Sequence, residues 1–217
     1  MIKTLEDAKK EGVLENHIYN ADCLDVMRLM KDKCVDLILT DPPYGIEFQS
    51  NHRLRKYEKI KGDDKYPIEV IYELKRLAKR AIYIFCRWDN LKDLPYPKSF
   101  LVWVKNNWSM GDLLHEHGRQ WEGIAFYPQE GHEFLKRIPD VINSNRTGNN
   151  LHPTEKPVDL IKKIIQANVG DLIFDPFLGS GTTAVAAKQL KRNFIGIEIS
   201  EKYCEIARGR LRQEILL

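Results

Sequence analysis

The sequence predicts a doubly wound α/β fold with a mostly parallel sheet. Short apolar runs alternate along the chain with amphipathic segments of about ten residues, which is typical of βαβ units. One apolar run stops at an Asp-Pro-Pro turn, and another leads through a glycine-rich turn into a helix. The crossovers of such a sheet are right-handed. Because parallel strands all end at the same edge of the sheet, both turns belong at its carboxyl edge. The 217 residues suit a single domain with a sizeable core.

Apolar runs define seven predicted strands, at 17–21, 35–39, 81–86, 100–104, 123–127, 172–174 and 194–199. Five predicted helices lie at 23–32, 67–80, 157–167, 182–190 and 201–211. In the helix at 67–80, Val70, Ile71, Leu74 and Leu77 fall on one face. The strands at 100–104 and 123–127 are a candidate antiparallel pair. Region 106–150 fits the alternation least well, which favours an insertion there.

Composition restricts the kind of protein. Hydrophobic residues make up 43% of the chain and charged residues 30%, as in a globular protein, and the net charge of +3 permits a nucleic-acid partner. No apolar run approaches the ~20 residues that span a bilayer, so we expect no membrane partner. The four cysteines are scattered, which favours a reduced, cytoplasmic setting and no metal site.

The turn at Asp41-Pro42-Pro43-Tyr44 is the first candidate site. Proline lacks an N–H and fixes its own φ, so the strand before it ends there and the turn is stiff. It holds a carboxylate, carbonyl oxygens and an aromatic ring, a set that accepts hydrogen bonds from an amino group and stacks on a flat ring. The alternative is a plain strand-ending turn in which the Asp side chain bonds its own backbone.

The segment from Phe174 to Thr183 reads as a strand, a glycine turn and the start of a helix, with Ser180 or Thr182 as its cap. A phosphate-binding P-loop requires a lysine after the last glycine, and none is present. A dinucleotide fingerprint fits better, with Glu198 placed for ribose hydroxyls. Asp175, however, opposes a pyrophosphate and favours a ligand with a positive amino group, such as S-adenosylmethionine. A glycine turn without any ligand remains the alternative.

The motifs together resemble the amino-group DNA methyltransferases, which act on adenine N6 or cytosine N4. The matching segments are residues 20–24, 41–44, 152–157, 174–183 and 194–198. The Asp-Pro-Pro-Tyr turn precedes the glycine loop, as in the permuted subgroup called the β class. The resemblance implies one domain over 1–217 with the S-adenosylmethionine-dependent methyltransferase fold in circularly permuted order: a seven-stranded sheet with one antiparallel strand.

The resemblance also implies residue roles. Asp41, Pro42, Pro43 and Tyr44 are the implied catalytic set. The implied cofactor-binding residues are Asp22, Cys23, His152, Thr154, Lys156, Phe174, Asp175, Phe177, Gly179, Ser180, Gly181, Thr182 and Glu198. Within this set, His152, Thr154 and Lys156 are expected near the donor's carboxylate. Asp22 also suits the N-cap of the next helix, and one residue can fill both roles.

The expected reaction moves a methyl group from S-adenosylmethionine to an exocyclic amine, leaving S-adenosylhomocysteine. Asp41 and the Pro42 carbonyl accept hydrogen bonds from the amine, and Tyr44 stacks on a base flipped out of duplex DNA. Asp at the first motif position goes with adenine in this family, so the expectation is an N6-adenine enzyme and the alternative an N4-cytosine enzyme. Functions of other classes are a nicotinamide dinucleotide oxidoreductase and a non-catalytic DNA-binding protein.

Two regions are candidates for contact with double-stranded DNA. Region 46–62 is expected to be a flexible loop, and region 106–150 to recognise the target. The candidate phosphate contacts are Arg53, Arg55, Lys56, Lys59, Arg119 and Arg146. A solvated charged loop is the alternative for the first region, and packing is favoured for Trp108 and Trp121 of the second. A homodimer and a cognate restriction enzyme, as in restriction-modification, are compatible with the resemblance.

Overall fold

The computed structural model describes residues 2–45, 67–109, 114–115, 117–148, 151–152 and 154–213. The strands are β1 Ile2–Thr4, β2 His17–Asn20, β3 Val35–Thr40, β4 Ala78–Cys86, β5 Ser99–Ser109, β6 Arg119–Pro128, β7 Val141–Asn143, β8 Leu172–Asp175 and β9 Asn193–Glu198. The helices are α1 Leu5–Glu11, α2 Cys23–Met27, α3 Ile68–Leu77, α4 Val158–Ala167, α5 Thr182–Gln189 and α6 Glu201–Gln213. A single 3₁₀ turn, Trp88–Asn90, follows β4.

The strands form one continuous sheet in the order β1-β2-β9-β8-β3-β4-β6-β5-β7. Only β6 among the described strands runs against its neighbours, β4 and β5, and every other pairing is parallel. The predicted fold class and antiparallel pair are therefore confirmed. The sheet has nine described strands instead of seven, because β1 and β7 extend its two edges. Each of these has three residues, too few to show a periodicity in the sequence.

Helices cover both faces of the sheet. Leu37 and Leu39 of β3 join the apolar cluster that includes α4, α5 and α6, whereas Ile38 joins the cluster that includes α1, α2 and α3. This division follows from the two-residue period of a strand, which sends successive side chains to opposite faces. The central strands are thus buried on both faces, as their nearly continuous apolar runs predict.

The chain winds in opposite directions on either side of the β3–β8 pair. From β3 it passes through α3 to β4, and from β8 it passes through α5 to β9 on the other side. Doubly wound sheets have a crevice at such a switch point, outside the carboxyl ends of the strands. Both motif-bearing turns, after Thr40 and after Asp175, open into this crevice.

Some boundaries differ from the sequence-based predictions. Helix α2 ends at Met27 because the next turn tightens: Leu29 N–H donates to Val26 and Met30 N–H to Met27. Region 106–150 contains the end of β5 together with β6 and β7, so much of it belongs to the sheet. The predicted 46–62 loop lies outside the described residues. None of the described helices is long and apolar enough to span a membrane.

Gly181 is a testable requirement of the glycine turn. Its φ is +88°, and a Cβ there would lie 2.6 Å from the Ala207 Cβ on α6. We expect Gly181→Ala to lower the free energy of unfolding by about 1–2 kcal/mol, because an L residue is strained in the left-handed region and α6 must also shift. Urea denaturation measures this change.

The matched control is Gly209→Ala. Gly209 lies within α6, where a Cβ meets no atom within 4 Å. Alanine is the better helix former, so this variant should gain about 0.5–1 kcal/mol. Equal stability of the Gly181 variant and the wild type would contradict the proposed strain.

Candidate active site

A cleft of about 500 Å³ lies at the carboxyl ends of β3 and β8. Residues from both motif-bearing turns line it, as the topology requires. The predicted site residues found in its walls are Asp22, Cys23, Asp41, Pro42, Pro43, Tyr44, Arg119, Arg146, His152, Thr154, Lys156, Asp175, Phe177, Gly179, Ser180, Thr182 and Glu198.

A few predicted residues lie elsewhere. The Phe174 side chain is fully buried in the core beneath the cleft, and Gly181 packs against α6. Both support the turn from below and are absent from the lining of the cleft. The predicted DNA contacts Arg53, Arg55, Lys56 and Lys59 lie outside the described residues. The described residues also contain no group of three His, Cys, Asp or Glu that would hold a metal ion.

The Asp41 carboxylate is held by two side chains. Its Oδ1 accepts a hydrogen bond of 2.6 Å from the Tyr44 hydroxyl, and its Oδ2 accepts one of 2.5 Å from Lys156 Nζ. Asn90, in the turn after β4, donates its Nδ2 to the Tyr44 carbonyl at 3.0 Å. The turn after β3 is therefore fixed from three sides, and both carboxylate oxygens are directed by side-chain partners.

Burial raises the pKa of the Asp41 carboxyl, and the Lys156 ammonium opposes that rise. Burial also raises the pKa of Tyr44 well above its ordinary value, with the Asp41 carboxylate adding to the effect. The phenol consequently keeps its proton and acts as the hydrogen-bond donor in this pair. An ionised Asp41 retains one further acceptor site on each oxygen, because a carboxylate oxygen has two lone pairs.

Asp175 ends β8 and faces the same cleft. Its Oδ1 accepts from the Thr40 hydroxyl at 2.8 Å and from the Phe177 N–H at 3.1 Å. Burial raises the pKa of Asp175 to about 6, against the opposing effect of these hydrogen bonds. The Thr40 contact joins the ends of two strands that are 135 residues apart in sequence.

Glu198 reaches the glycine turn from the end of β9. Its Oε2 accepts from the Gly179 N–H and its Oε1 from the Ser200 N–H, both at 2.8 Å. Both carboxylate oxygens of Glu198 thus accept from backbone N–H groups, one in the glycine turn and one just before α6. Gly179 has φ +54°, which favours glycine, and a Cβ on it would lie 3.7 Å from the ring of His152. The absence of a side chain leaves space between the glycine turn and His152.

Asp22 serves as the predicted cap. Its Oδ1 accepts from the Leu24 N–H at 2.8 Å at the start of α2, and the carboxylate also lines the cleft beside Cys23. A carboxylate has acceptor sites to spare, so capping leaves it able to meet a ligand.

His152 is neutral and oriented. Its Nδ1 accepts from the Thr154 N–H at 3.3 Å, so Nε2 carries the proton. Burial lowers the pKa of His152 to about 4, and the Lys156 ammonium adds to this shift. The ring packs edge-on against Tyr203 with 4.4 Å between centroids.

The predicted cap of α5 is wrong. Gly181 is the N-cap, and the hydroxyls of Ser180 and Thr182 accept hydrogen bonds from Arg210 Nη1 instead, at 3.2 and 3.1 Å. The same guanidinium lies 3.2 Å from a carboxylate oxygen of Glu155. Arg210 thereby ties the glycine turn to the 152–157 loop, which uses the hydroxyls that a cap would need.

Comparison with known proteins decides what kind of cleft this is. The sequence model of N6/N4 methyltransferases, described as a DNA methylase, matches residues 97–209, slightly more than half of the chain. The putative methylase YubD of Escherichia coli is 32% identical over 209 residues, which cover 88% of this chain and 87% of that protein. The chain belongs to the N6/N4 family of DNA methylases.

Two further relatives agree with this assignment. The type II methyltransferase M.BglII of Bacillus subtilis is 27% identical, over 88% of this methylase and 68% of its own length. The crystal structure of the M1.HpyAVI–SAM complex superposes with a TM-score of 0.68 at 28% identity, covering 89% of this chain and 98% of that one. The predicted family is confirmed. The family includes both N6 and N4 enzymes, so the choice of adenine stays a prediction.

The prediction from sequence missed two charged residues of the methylase cleft. Lys105 on β5 and Glu122 on β6 form an ion pair of 2.5 Å, and both line the cleft near Asp41. Their signal was present in the two-residue strand period: Lys105 shares a face with buried Trp103, and Glu122 shares one with buried Ile124. The predicted strands stopped short of both residues, so the inward charges were overlooked.

Aromatic and basic residues lie around the mouth of the cleft. Trp108 is 65% exposed with its ring against Gly118, and Trp121 is 43% exposed, so neither belongs to the buried core. Trp121 lines the cleft together with Arg119 and Arg146. This wall of the methylase cleft therefore presents one flat ring and two guanidinium groups.

Proposed function

We propose that this methylase transfers a methyl group from S-adenosylmethionine to the N6 amine of an adenine in double-stranded DNA. The observation that supports it best is the shared cleft, in which Asp41 faces the glycine turn. The Thr40–Asp175 hydrogen bond joins the two walls. Asp at the first position of the turn favours adenine over the alternative, cytosine N4, through the family resemblance.

The turn at Asp41 supplies what an amine nucleophile needs. The nitrogen of an exocyclic amine is a poor nucleophile because its lone pair is delocalised into the ring. Hydrogen bonds from its two N–H groups to the Asp41 carboxylate and the Pro42 carbonyl favour a pyramidal nitrogen with a localised pair. Because these acceptors are fixed before the reaction, no reorganisation is needed as positive charge develops.

S-adenosylmethionine is the methyl donor, and the residues of the other wall suit its parts. The Glu198 carboxylate at the end of β9 suits a pair of ribose hydroxyls, and the Asp175 carboxylate suits an amino group. In the transfer, the nitrogen–carbon bond forms as the carbon–sulfur bond breaks with its electron pair going to sulfur. The proton lost by the amine passes to water. Nitrogen and methyl must approach to roughly 3–3.5 Å in line, which this cleft achieves by holding both substrates.

A base in a duplex cannot reach Asp41, so the adenine must flip out of the stack at a cost of a few kcal/mol. Stacking on the Tyr44 ring offsets about 1–3 kcal/mol of this cost. Arg119 and Arg146 at the mouth suit phosphate oxygens on either side of the flipped base. The likeness to M.BglII, a type II methyltransferase, supports a cognate restriction enzyme as biological partner.

Nucleoside analysis tests the base. Unmethylated duplex DNA incubated with the protein and labelled S-adenosylmethionine, then digested to nucleosides, should carry its label in N6-methyladenine. Heat-treated protein is the control. Label in N4-methylcytosine alone would show that the target base is cytosine and not adenine. Absence of label from both nucleosides would reject the proposed function.

Asp41→Ala tests the acceptor role. The variant loses the charged acceptor, so kcat should fall by at least ~10²–10³-fold, while donor affinity measured by calorimetry stays within about threefold of the wild-type value. Asp25→Ala, which removes an exposed carboxylate on α2, is the matched control and should leave both quantities unchanged. Wild-type turnover in the Asp41 variant would refute the role.

The donor's affinity should depend on pH through Asp175. The pKa of this carboxyl in the free protein is about 6, and a bound ammonium favours its ionised form. Affinity should therefore be full above pH 6 and fall, by up to about tenfold per pH unit, as the pH drops below it. His152, with a pKa of about 4, stays neutral in this window. Calorimetry with Asp175→Asn should give weaker binding without this slope; the same slope in the variant would assign it to another group.

A further inference from the structure

Four charged side chains meet at the base of the cleft. Lys156 Nζ lies 2.5 Å from Asp41 Oδ2 and 3.2 Å from Glu122 Oε2, and Lys105 Nζ lies 2.5 Å from Glu122 Oε1. We call Asp41, Lys156, Glu122 and Lys105 the buried charge cluster. Signs alternate along it, and the lysine side chains are only 7% and 8% exposed.

The charge cluster connects distant parts of the sheet. Asp41 follows the central strand β3, Lys156 lies in the loop before α4, and the other two lie on neighbouring strands β6 and β5. Burying four charges costs desolvation that ion pairing repays only in good geometry, so such a cluster is weak evidence of stability alone. A role at the reacting group is the better explanation, because one end of the cluster is the Asp41 carboxylate.

The family resemblance implies that Lys156 lies near the donor's carboxylate, but in the structure its ammonium contacts other groups. Lys156 Nζ donates to Asp41 Oδ2 and, at 3.4 Å, to the Thr154 carbonyl, and Glu122 Oε2 lies 3.2 Å away. The contact with Glu122 is an ion pair without a directed hydrogen bond. A donor carboxylate at Nζ would compete with the Asp41 and Glu122 carboxylates for the same ammonium.

We propose that Lys156 is a positioning residue for Asp41: it fixes the carboxylate and keeps it ionised to receive the amine, and Glu122 holds Lys156 in place. This inference rests on the proposed function, because it assumes that Asp41 accepts from the amine. It differs from that function in assigning Lys156 to the acceptor and away from the methyl donor.

The charges around Asp41 explain why a cation is needed there. Burial raises the pKa of Asp41, and so does the Glu122 carboxylate on β6; the Asp41 carboxylate in turn raises the pKa of Asp175 on β8. The Cys86 thiol on β4 also faces it and stays protonated, since burial raises the pKa of that thiol to about 12. The Tyr44 hydroxyl and the Lys156 ammonium act in the other direction. Removing the ammonium therefore leaves burial and the Glu122 carboxylate opposed by the Tyr44 hydroxyl.

Lys156→Met tests the inference by turnover. Loss of the cation should raise the pKa of Asp41, so the acid limb of the kcat profile should move to higher pH and kcat at neutral pH should fall ~10²-fold. Lys156→Arg retains the charge and should restore the position of the limb. Lys163→Met, an exposed lysine on α4, is the matched control and should behave as wild type. Donor affinity should change less than about threefold, whereas a donor contact would raise KM for the donor at unchanged kcat and overturn the inference.

Carbon-13 NMR of the aspartate carboxyls gives a readout that needs no turnover. In the donor-free protein the Asp41 titration should move up in Lys156→Met and down in Glu122→Gln, because the first change removes a cation and the second removes an anion. Shifts in the same direction, or none, would overturn the inference, and circular dichroism establishes that each variant is folded. If the wild-type protein transferred no methyl group to DNA, the proposed function would be rejected. The titration of Asp41 in the two variants would still decide the role of Lys156.

Discussion

The hydrogen bond from the Thr40 hydroxyl to the Asp175 carboxylate is the contact around which the site is built. It joins β3 to β8, parallel neighbours whose crossovers leave in opposite directions. A doubly wound sheet has such a divergence where its winding reverses, and the crevice there needs no insertion to form it. The acceptor turn and the glycine turn therefore face one another because of the strand order, and the side chains of the cleft refine a geometry that the topology has already imposed.

Electrostatics then divides the cleft into two environments. Around Asp41, a lysine and a phenol direct both carboxylate oxygens. Around Asp175, the effect of burial on the pKa is opposed by the Thr183 and Thr40 hydroxyls and the Phe177 N–H. The two aspartates therefore have different hydrogen-bond partners and different electrostatic surroundings. Under the proposed function, Asp41 accepts hydrogen bonds from a neutral amine, and Asp175, whose pKa burial raises to about 6, binds a cation.

Most of the fold and much of the site could be predicted from the sequence, because short stretches of the chain contain their signals. Prolines end β3, a left-handed glycine begins α5, and apolar runs mark the central strands. Edge strands β1 and β7 were missed because three residues carry no period. Lys105 and Glu122 were missed because the predicted strands stopped short of them. Arg210 was missed because its partners Ser180 and Thr182 lie 30 and 28 residues away in sequence, and a charged side chain shows no preference for a distant partner until the fold has placed it. The role of Lys156 illustrates the limit: its motif was recognised, but the atom that its ammonium meets depends on tertiary structure.

Neighbouring residues of the 152–157 loop reach opposite walls of the cleft. Glu155 pairs with Arg210, which also holds the glycine turn, and the next residue, Lys156, pairs with Asp41. Because Glu155 and Lys156 are adjacent in the chain, a backbone shift that moves one side chain also moves the other. An evolutionary or engineered change that shifts this loop to accommodate a different base would also disturb the pocket for the methyl donor. Variation in target preference is therefore expected to arise from residues at the rim of the cleft, while this loop tolerates little change.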